Sequence, residues 1–382
     1  MQTPLKNITV LEFSQYLSGP CAGLRLADLG ARVIKIERPG NGDACRQLAI
    51  KNLWVNDSSL LFHTINRNKE SFAADLKNSD DLELINELIG TADVMTHNFR
   101  PGVMEKYGLH YEKVKEINPR IIYTEISGYG NKGPWCHKPG QDLLIQSMSG
   151  LTYATGSKYD NPIPFGLAIA DYLCGNQAVQ GILAALIRRL KTGKGALLQL
   201  SMMESLIDFQ FEFFTTYFQA NKHHERSEIN NGHSLLSAPY GIYQTADGYI
   251  AVAMMPLQKL AAIIECDGLG IFSDDDAFEK RDAIKKILAV HFLTATTQSW
   301  LQKMHAHDLW VMPVLNWQQL QQTETYQTLQ MEQEIKINEE KKIVTTRCPI
   351  RINNEKIFLA TPAPGLGEHT MKITTDLLKQ KA

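Results

Sequence analysis

The stretch "ITVLEFSQYLSGPCAGLRLADLGARVIKIE" (8–37) carries the fold. "ITVLEFS" (8–14) reads as a strand, and "ARVIKIE" (31–37) as another. Between them "GPCAGLRLADLG" (19–30) carries Leu24, Leu26 and Leu29 and closes on Gly30, a helix ending at its C-terminal glycine. Strand, short helix and strand make a βαβ unit, whose default is a parallel sheet. The alternation continues outward. "DLELINELIGTA" places Leu82, Ile85, Leu88 and Ile89 on one helical face; "DVMTHNF" follows as a strand, with "RPG" a loop. "EKVKEINP" reads as a short helix, "RIIYTEIS" as a buried strand, "GALLQLSM" (195–202) as a further strand and "SLIDFQFEFFTTYF" as an apolar, aromatic helix. The expected architecture is α/β: a doubly wound, mostly parallel Rossmann-like sheet over residues 1–220.

At 221–237 the chain turns polar and aperiodic ("NKHHERSEINNGHSLLS"), a linker. "YGIYQTADGYIAVAMM" then predicts a β-hairpin around Ala246-Asp247-Gly248, and helical stretches follow to about 330, giving a smaller α+β domain over 238–330. The segment 331–382 returns to strand and helix signals.

The 382 residues are 44% hydrophobic and 21% charged, enough for large cores. A net charge of −2 argues against nucleic-acid binding by bulk charge. Cysteines 21, 45, 136, 174, 266 and 348 are scattered without a C-x-x-C pair, which reads as reduced thiols in a cytoplasmic protein. "MQTPLKNITVLEF" lacks the apolar core of a signal peptide, and no run is long and apolar enough for a membrane span. His63, His97, His137, His223 and His224 lack metal-ligand spacing, so no metal is expected, and His223–His224 read as a solvated linker.

One charge stands out. In "PFGLAIADYLCG" (164–175), Asp171 sits among apolar and small residues, where an uncompensated carboxylate is costly. Val179, Ile182, Leu183, Leu186, Ile187 and Leu190 then follow at 3-and-4 spacing, and "TGKG" ends the pattern. Asp171 therefore falls near a helix N-terminus. It is either an N-cap or a reactive carboxylate kept ionised by the helix dipole, with Ala168, Ala170 and Gly175 leaving room for a ligand. Spacing leaves both readings open. Cys174 reads as a small packed residue.

The chain resembles the class III CoA-transferases, the group that includes formyl-CoA transferase, carnitine CoA-transferase and α-methylacyl-CoA racemase. The resemblance runs through "VLEFSQYLSGP" (10–20), "GARVIKIERPGNGD" (30–43), "NRNKESFAADLK" (66–77), "ADVMTHNFRPGVMEKYGL" (92–109), "SGYGNKGP" (127–134), "DLLIQSMSGL" (142–151), "GLAIADYLCG" (166–175), "TGKGALLQLSM" (192–202), "APYGIYQTADGYIAVA" (238–253) and "GLGEHT" (365–370). It implies a large CoA-binding domain (1–220) completed by 331–382, a small middle domain, and two chains interlocked as a homodimer. It assigns the nucleophile to Asp171 in "AD-x-x-x-G". Acyl-CoA and a small carboxylic acid are then the substrates, CoA is exchanged through aspartyl anhydride and aspartyl-CoA thioester intermediates, and no prosthetic group is needed. The family's CoA contacts fall on Gln15, on Arg38, on Ala74 to Lys77, on Asn98, Phe99 and Arg100, and on Lys106, where cations suit the phosphates and Phe99 the adenine. Backbone N–H groups near Gln15 and in "NNGH" (230–233) are candidate oxyanion donors. Arg46 is a candidate partner for a second substrate carboxylate.

Three competitors are weighed against transfer. A racemase of the same superfamily uses a His in a "G-H-D" triplet; this chain has Gly140-Gln141-Asp142, and an amide exchanges no proton near neutral pH. A nicotinamide-dependent oxidoreductase is suggested by Glu37 at the end of the second strand, but "SQYLSGPCAG" is no G-x-G-x-x-G turn. A catalytically silent CoA-binding scaffold is countered by a reachable, charged Asp171. "INNGHSLLSAPYG" lacks the glycine-rich loop of formyl-CoA transferase, which argues against formyl-CoA and oxalate as the substrate pair.

Overall fold

Six strands form one sheet: β1 (Thr9–Glu12), β2 (Arg32–Glu37), β3 (Lys69–Ala73), β4 (Val94–His97), β5 (Ile122–Ser127) and β6 (Ala196–Ser201). This computed structural model describes residues 3–222 and 225–381, so His223 and His224 lie outside the described residues. The spatial order is β3-β2-β1-β4-β5-β6 and every pairing is parallel. The central strands are buried on both faces, as Val10, Leu11, Val33, Ile34, Val94 and Met95 require. β1 neighbours both β2 and β4, so the chain leaves it in one direction and later returns on the other side. The crevice outside the carboxyl ends of β1 and β4 is the switch point where α/β sheets bind ligands.

The helices that matter for the site are α1 (Ser18–Asp28), α2 (Ser79–Thr91), α3 (Tyr111–Ile117), α4 (Asp142–Ser149) and α5 (Ile169–Thr192). α5 ends on Gly193, whose φ of +70° suits glycine alone without strain. Near that end Arg189 is buried and ion-pairs with Asp93 at 2.7 Å, just before β4. The expected single helix over 205–218 is two, Met202–Phe209 and Phe211–Ala220, separated at Gln210.

Two compact units divide the chain. The first holds the residues up to Ile145, Leu167–Asp208 and the segment from Leu329 onward; the second holds Gln146–Gly166 and Phe209–Thr328. Residues 146–166 and 209–220, read from the sequence with 1–220, group with the second unit. That unit has an antiparallel sheet of β7 (Gly241–Gln244), β8 (Tyr249–Val252) and β9 (Val311–Pro313), with helices α6 (Leu257–Ile264), α7 (Arg281–Phe292) and α8 (Thr297–His305). Its core includes Tyr243, Ile250, Leu260, Phe292 and Trp300. The β7–β8 turn falls at Ala246-Asp247-Gly248, closed by the Thr245 N–H on the Gly248 carbonyl.

In the first unit α9 (Thr370–Lys381) places Ile373 and Leu377 in the core beneath α2 and the sheet. Residues 361–370 line the free edge of β3. Thr361 exchanges hydrogen bonds with Asn68, the His369 N–H donates to the Ser71 carbonyl, and the Ala73 N–H donates to Thr370 Oγ1.

Candidate active site

Asp171 is the third residue of α5 and does not cap it. The cap comes from Asp142 at the start of α4, whose Oδ1 accepts the Ala170 N–H at 2.7 Å and the Asp171 N–H at 3.3 Å. The N-cap reading of Asp171 is thereby replaced: a second carboxylate does that work and leaves the Asp171 side chain to face α1. One turn further on, Gly175 makes the helix contact possible, because a Cβ there would lie 2.6 Å from the Ser18 carbonyl and 3.2 Å from Cys21 Cβ. α5 therefore lies tightly against the first turn of α1. The Ser18 hydroxyl and backbone N–H favour the charged form of the Asp171 carboxylate.

Burial and, second, the charge of Asp142 push the Asp171 carboxyl up to about 7, and the two hydrogen bonds from Ser18 oppose the rise. The group is thus poised between acid and carboxylate near neutrality. Cys174, one turn below, is fully buried and its thiol is pushed up to about 12 by that burial, so it is inert packing.

The turn before α1 is held from three directions. Asn98, after β4, accepts the Gln15 N–H at 2.8 Å and donates to the Gln15 carbonyl at 2.7 Å; its amide also reaches Ser18 Oγ at 3.4 Å. Asp43 accepts the Tyr16 N–H at 3.0 Å. Lys35 donates to the Ser14 carbonyl at 2.7 Å and pairs with Glu12 and Asp43 at 2.9 and 2.8 Å, all buried. Tyr16 has φ +62°, a left-handed backbone costly for an aromatic residue. The Gln15 and Tyr16 N–H groups are therefore spent inside the protein and are not oxyanion donors. The other expected donors, 230–233, belong to the second unit, where Asn231 donates to the Gly156 carbonyl at 2.9 Å.

The parallel sheet brings the remaining expected residues to one edge. Arg38 follows β2, Ala74 and Lys77 follow β3, and Asn98, Phe99 and Arg100 follow β4, with Lys106 ending a short helix (Val103–Lys106). Arg38, Lys77, Arg100 and Lys106 are exposed, and among the described residues their side chains have no hydrogen bond or ion pair. Phe99 is half-buried and stacks on His97 at 6.2 Å. Ala74 is buried in the core and its N–H donates to the Glu37 carbonyl at 2.9 Å.

Arg46 requires correction. It is buried and forks onto Glu37 at 2.9 and 2.7 Å, donates to the Pro364 carbonyl and lies 3.8 Å over the Phe62 ring, so no substrate carboxylate can reach it. The same pair disposes of the nicotinamide reading, because Glu37 is 3% exposed and consumed by Arg46 and Ser71. The sequence reading missed Asp142 as a cap and Ser18 as a partner of Asp171. Only the small-residue run "SGP" and the Asp in "GQD" hint at them.

The profile of CoA-transferase family III matches residues 5–370. The chain belongs to that family. It is similar to the mouse (Mus musculus) succinyl-CoA:glutarate CoA-transferase, 30% identical over 98% of this chain and 87% of that one. It is also similar to the acetyl-CoA:oxalate CoA-transferase of Acetobacter aceti, 34% identical over 82% of this chain and 81% of that one. A solved CAIB/BAIF family protein from Brucella suis superposes with a TM-score of 0.85 at 29% identity, over 99% of this chain and all of that one. This family III chain is thus an enzyme, a CoA-transferase, with CoA thioesters as substrates. No helix among the described residues is long and apolar enough to cross a membrane.

Proposed function

We propose that Asp171 is the nucleophile that carries the acyl group and then CoA between two carboxylic acids. The observation behind this reading is a half-buried carboxylate in the first turn of α5, packed against the first turn of α1 at the switch point of the sheet and pushed up to about 7 by burial and by Asp142. Its ionised oxygen attacks the thioester carbonyl; the C–S bond breaks, leaving an aspartyl acyl anhydride and CoA thiolate. The thiolate attacks the aspartyl carbonyl of the anhydride, releasing the first acid and forming an aspartyl-CoA thioester. The acceptor carboxylate attacks that thioester, giving a second anhydride and thiolate. The thiolate then attacks the acceptor carbonyl, which yields the new acyl-CoA and restores Asp171. Each step exchanges one leaving group for another at an activated carbonyl, which no direct exchange between two acids provides.

The unpaired Arg38, Lys77, Arg100 and Lys106 supply cations for the CoA phosphates, with Phe99 beside the adenine and Gln15 and Ala74 contributing backbone shape. The first unit is accordingly the CoA-binding one. A dicarboxylic acceptor suits the glutarate enzyme among the relatives, while the oxalate enzyme of Acetobacter aceti keeps a short diacid in the screen despite the missing glycine-rich loop. Gln141 in place of an exchangeable imidazole favours transfer over racemisation. Two chains interlock as a homodimer, and six unpaired cysteines suit a reducing cytoplasm.

The test screens acyl-CoA donors against mono- and dicarboxylic acids, with hydroxylamine trapping and mass spectrometry of the Asp171 peptide. Asp171→Ala is expected to abolish exchange while CoA still binds. Undiminished turnover in that variant rejects the role, and α-proton exchange without acid-dependent CoA transfer selects the racemase.

A further inference from the structure

Asn98 was expected among the CoA contacts, yet its amide faces inward. Oδ1 is taken by the Gln15 N–H and Nδ2 by the Gln15 carbonyl, with Ser18 Oγ at 3.4 Å. This paired donor and acceptor match one residue's backbone as a neighbouring strand would, and they tie the end of β4 to the turn that starts α1. The turn needs such a tie, because Tyr16 holds a left-handed φ of +62° that an unrestrained chain would relax. Two residues later the Ser18 carbonyl lies against α5 at Gly175, and the Ser18 hydroxyl and N–H favour the charged form of Asp171. The helix contact below fixes the distance: Gly175 brings α5 so close that a Cβ would strike the Ser18 carbonyl. A shift of the α1 turn therefore moves the donors that hold the Asp171 carboxylate.

We infer that Asn98 is a positioning residue for Asp171, acting through the Gln15–Ser18 turn, and that its side chain is not a ligand for CoA. This rests on the reading of Asp171 as the nucleophile. The other charged groups facing the turn, Lys35, Asp43 and Glu12, are tied to one another and leave Asn98 as the link between the turn and β4.

The experiment compares wild type, Asn98→Ala, Ser18→Ala and the double variant. It reads kcat, the pH midpoint of kcat, and the affinity for free CoA by calorimetry. Asn98→Ala is expected to lower kcat by about 10²-fold, the effect of a misplacement near 1 Å, with CoA affinity unchanged. Its pH midpoint should move upward, because Asp171 loses donors that favour its charge. Ser18→Ala should move the midpoint the same way, and the double variant should lose little more than Asn98→Ala alone. A fall in CoA affinity with kcat preserved overturns the inference. So does a loss of melting temperature with the midpoint unmoved. Should Asn98→Ala not fold, Ser18→Ala carries the test, and an unmoved midpoint there overturns it. Turnover surviving Asp171→Ala overturns the nucleophile instead; with that variant dead, the outcomes above bear on Asn98 alone.

Discussion

Asp171 must lose its proton before it can attack a thioester, and burial beside Asp142 delays that loss to about pH 7. Raised basicity makes the ionised oxygen the better nucleophile, but only the ionised fraction attacks. Transfer activity should therefore fall roughly tenfold per pH unit below 7 and level off above it. Asp142→Asn keeps an oxygen for the Ala170 N–H and removes the charge, so the midpoint of kcat/KM should move to lower pH. A profile that stays in place excludes Asp142 from the tuning. Proton linkage runs the other way for stability: a carboxyl raised in the folded state holds its proton more tightly there, so folding weakens as pH rises from about 4 through 7. At this level the sequence was partly legible. One acid among small residues drew attention to 171, but a cap supplied from 28 residues upstream has no local signature. Nor does the burial of Arg46 against Glu37, which left Arg46 looking free for a substrate.

Between elements, the decisive contact is the crossing of α1 and α5. A glycine inside an exposed helix costs about 1 kcal/mol relative to alanine, so on propensity alone Gly175→Ala would stabilise. Here the added methyl meets the Ser18 carbonyl at 2.6 Å, and the backbone cannot yield as a flexible side chain would. Overpacking of this kind costs typically 1–3 kcal/mol. Gly175→Ala should lower the melting temperature and reduce kcat more than it raises KM; a variant with wild-type kcat and higher stability would show that the helices have slack. The βαβ pattern was legible because β1 and β2 keep the apolar runs Val10–Leu11 and Val33–Ile34 beside their buried Glu12, Lys35 and Glu37. β3 escaped the periodicity reading because its inward side chains include Lys69 and Ser71. Lys69 is buried only because Glu12, Asn66 and the Pro20 carbonyl receive its ammonium. A partner 57 residues away is invisible to any local window.

In the whole molecule, large apolar side chains remain uncovered. On α5 Leu190 is 84% exposed, and in the second unit Phe218 is 70% exposed. The interlocked homodimer proposed above can be tested directly. The enzyme should sediment at twice the 43.0 kDa of one chain, and differently tagged preparations should not exchange subunits without unfolding. A stable monomer, or rapid mixing of tags, removes the interlocked arrangement. The return of the later residues to the first unit was legible as a return of strand and helix signals, but which strand they cover was not. They cover β3, and that has a consequence for synthesis. A chain made only as far as the second unit lacks the residues, 361–370, that hydrogen-bond to the edge from Lys69 to Ala73. Translation that stalls there releases a chain with an open β-edge, the kind that recruits other chains.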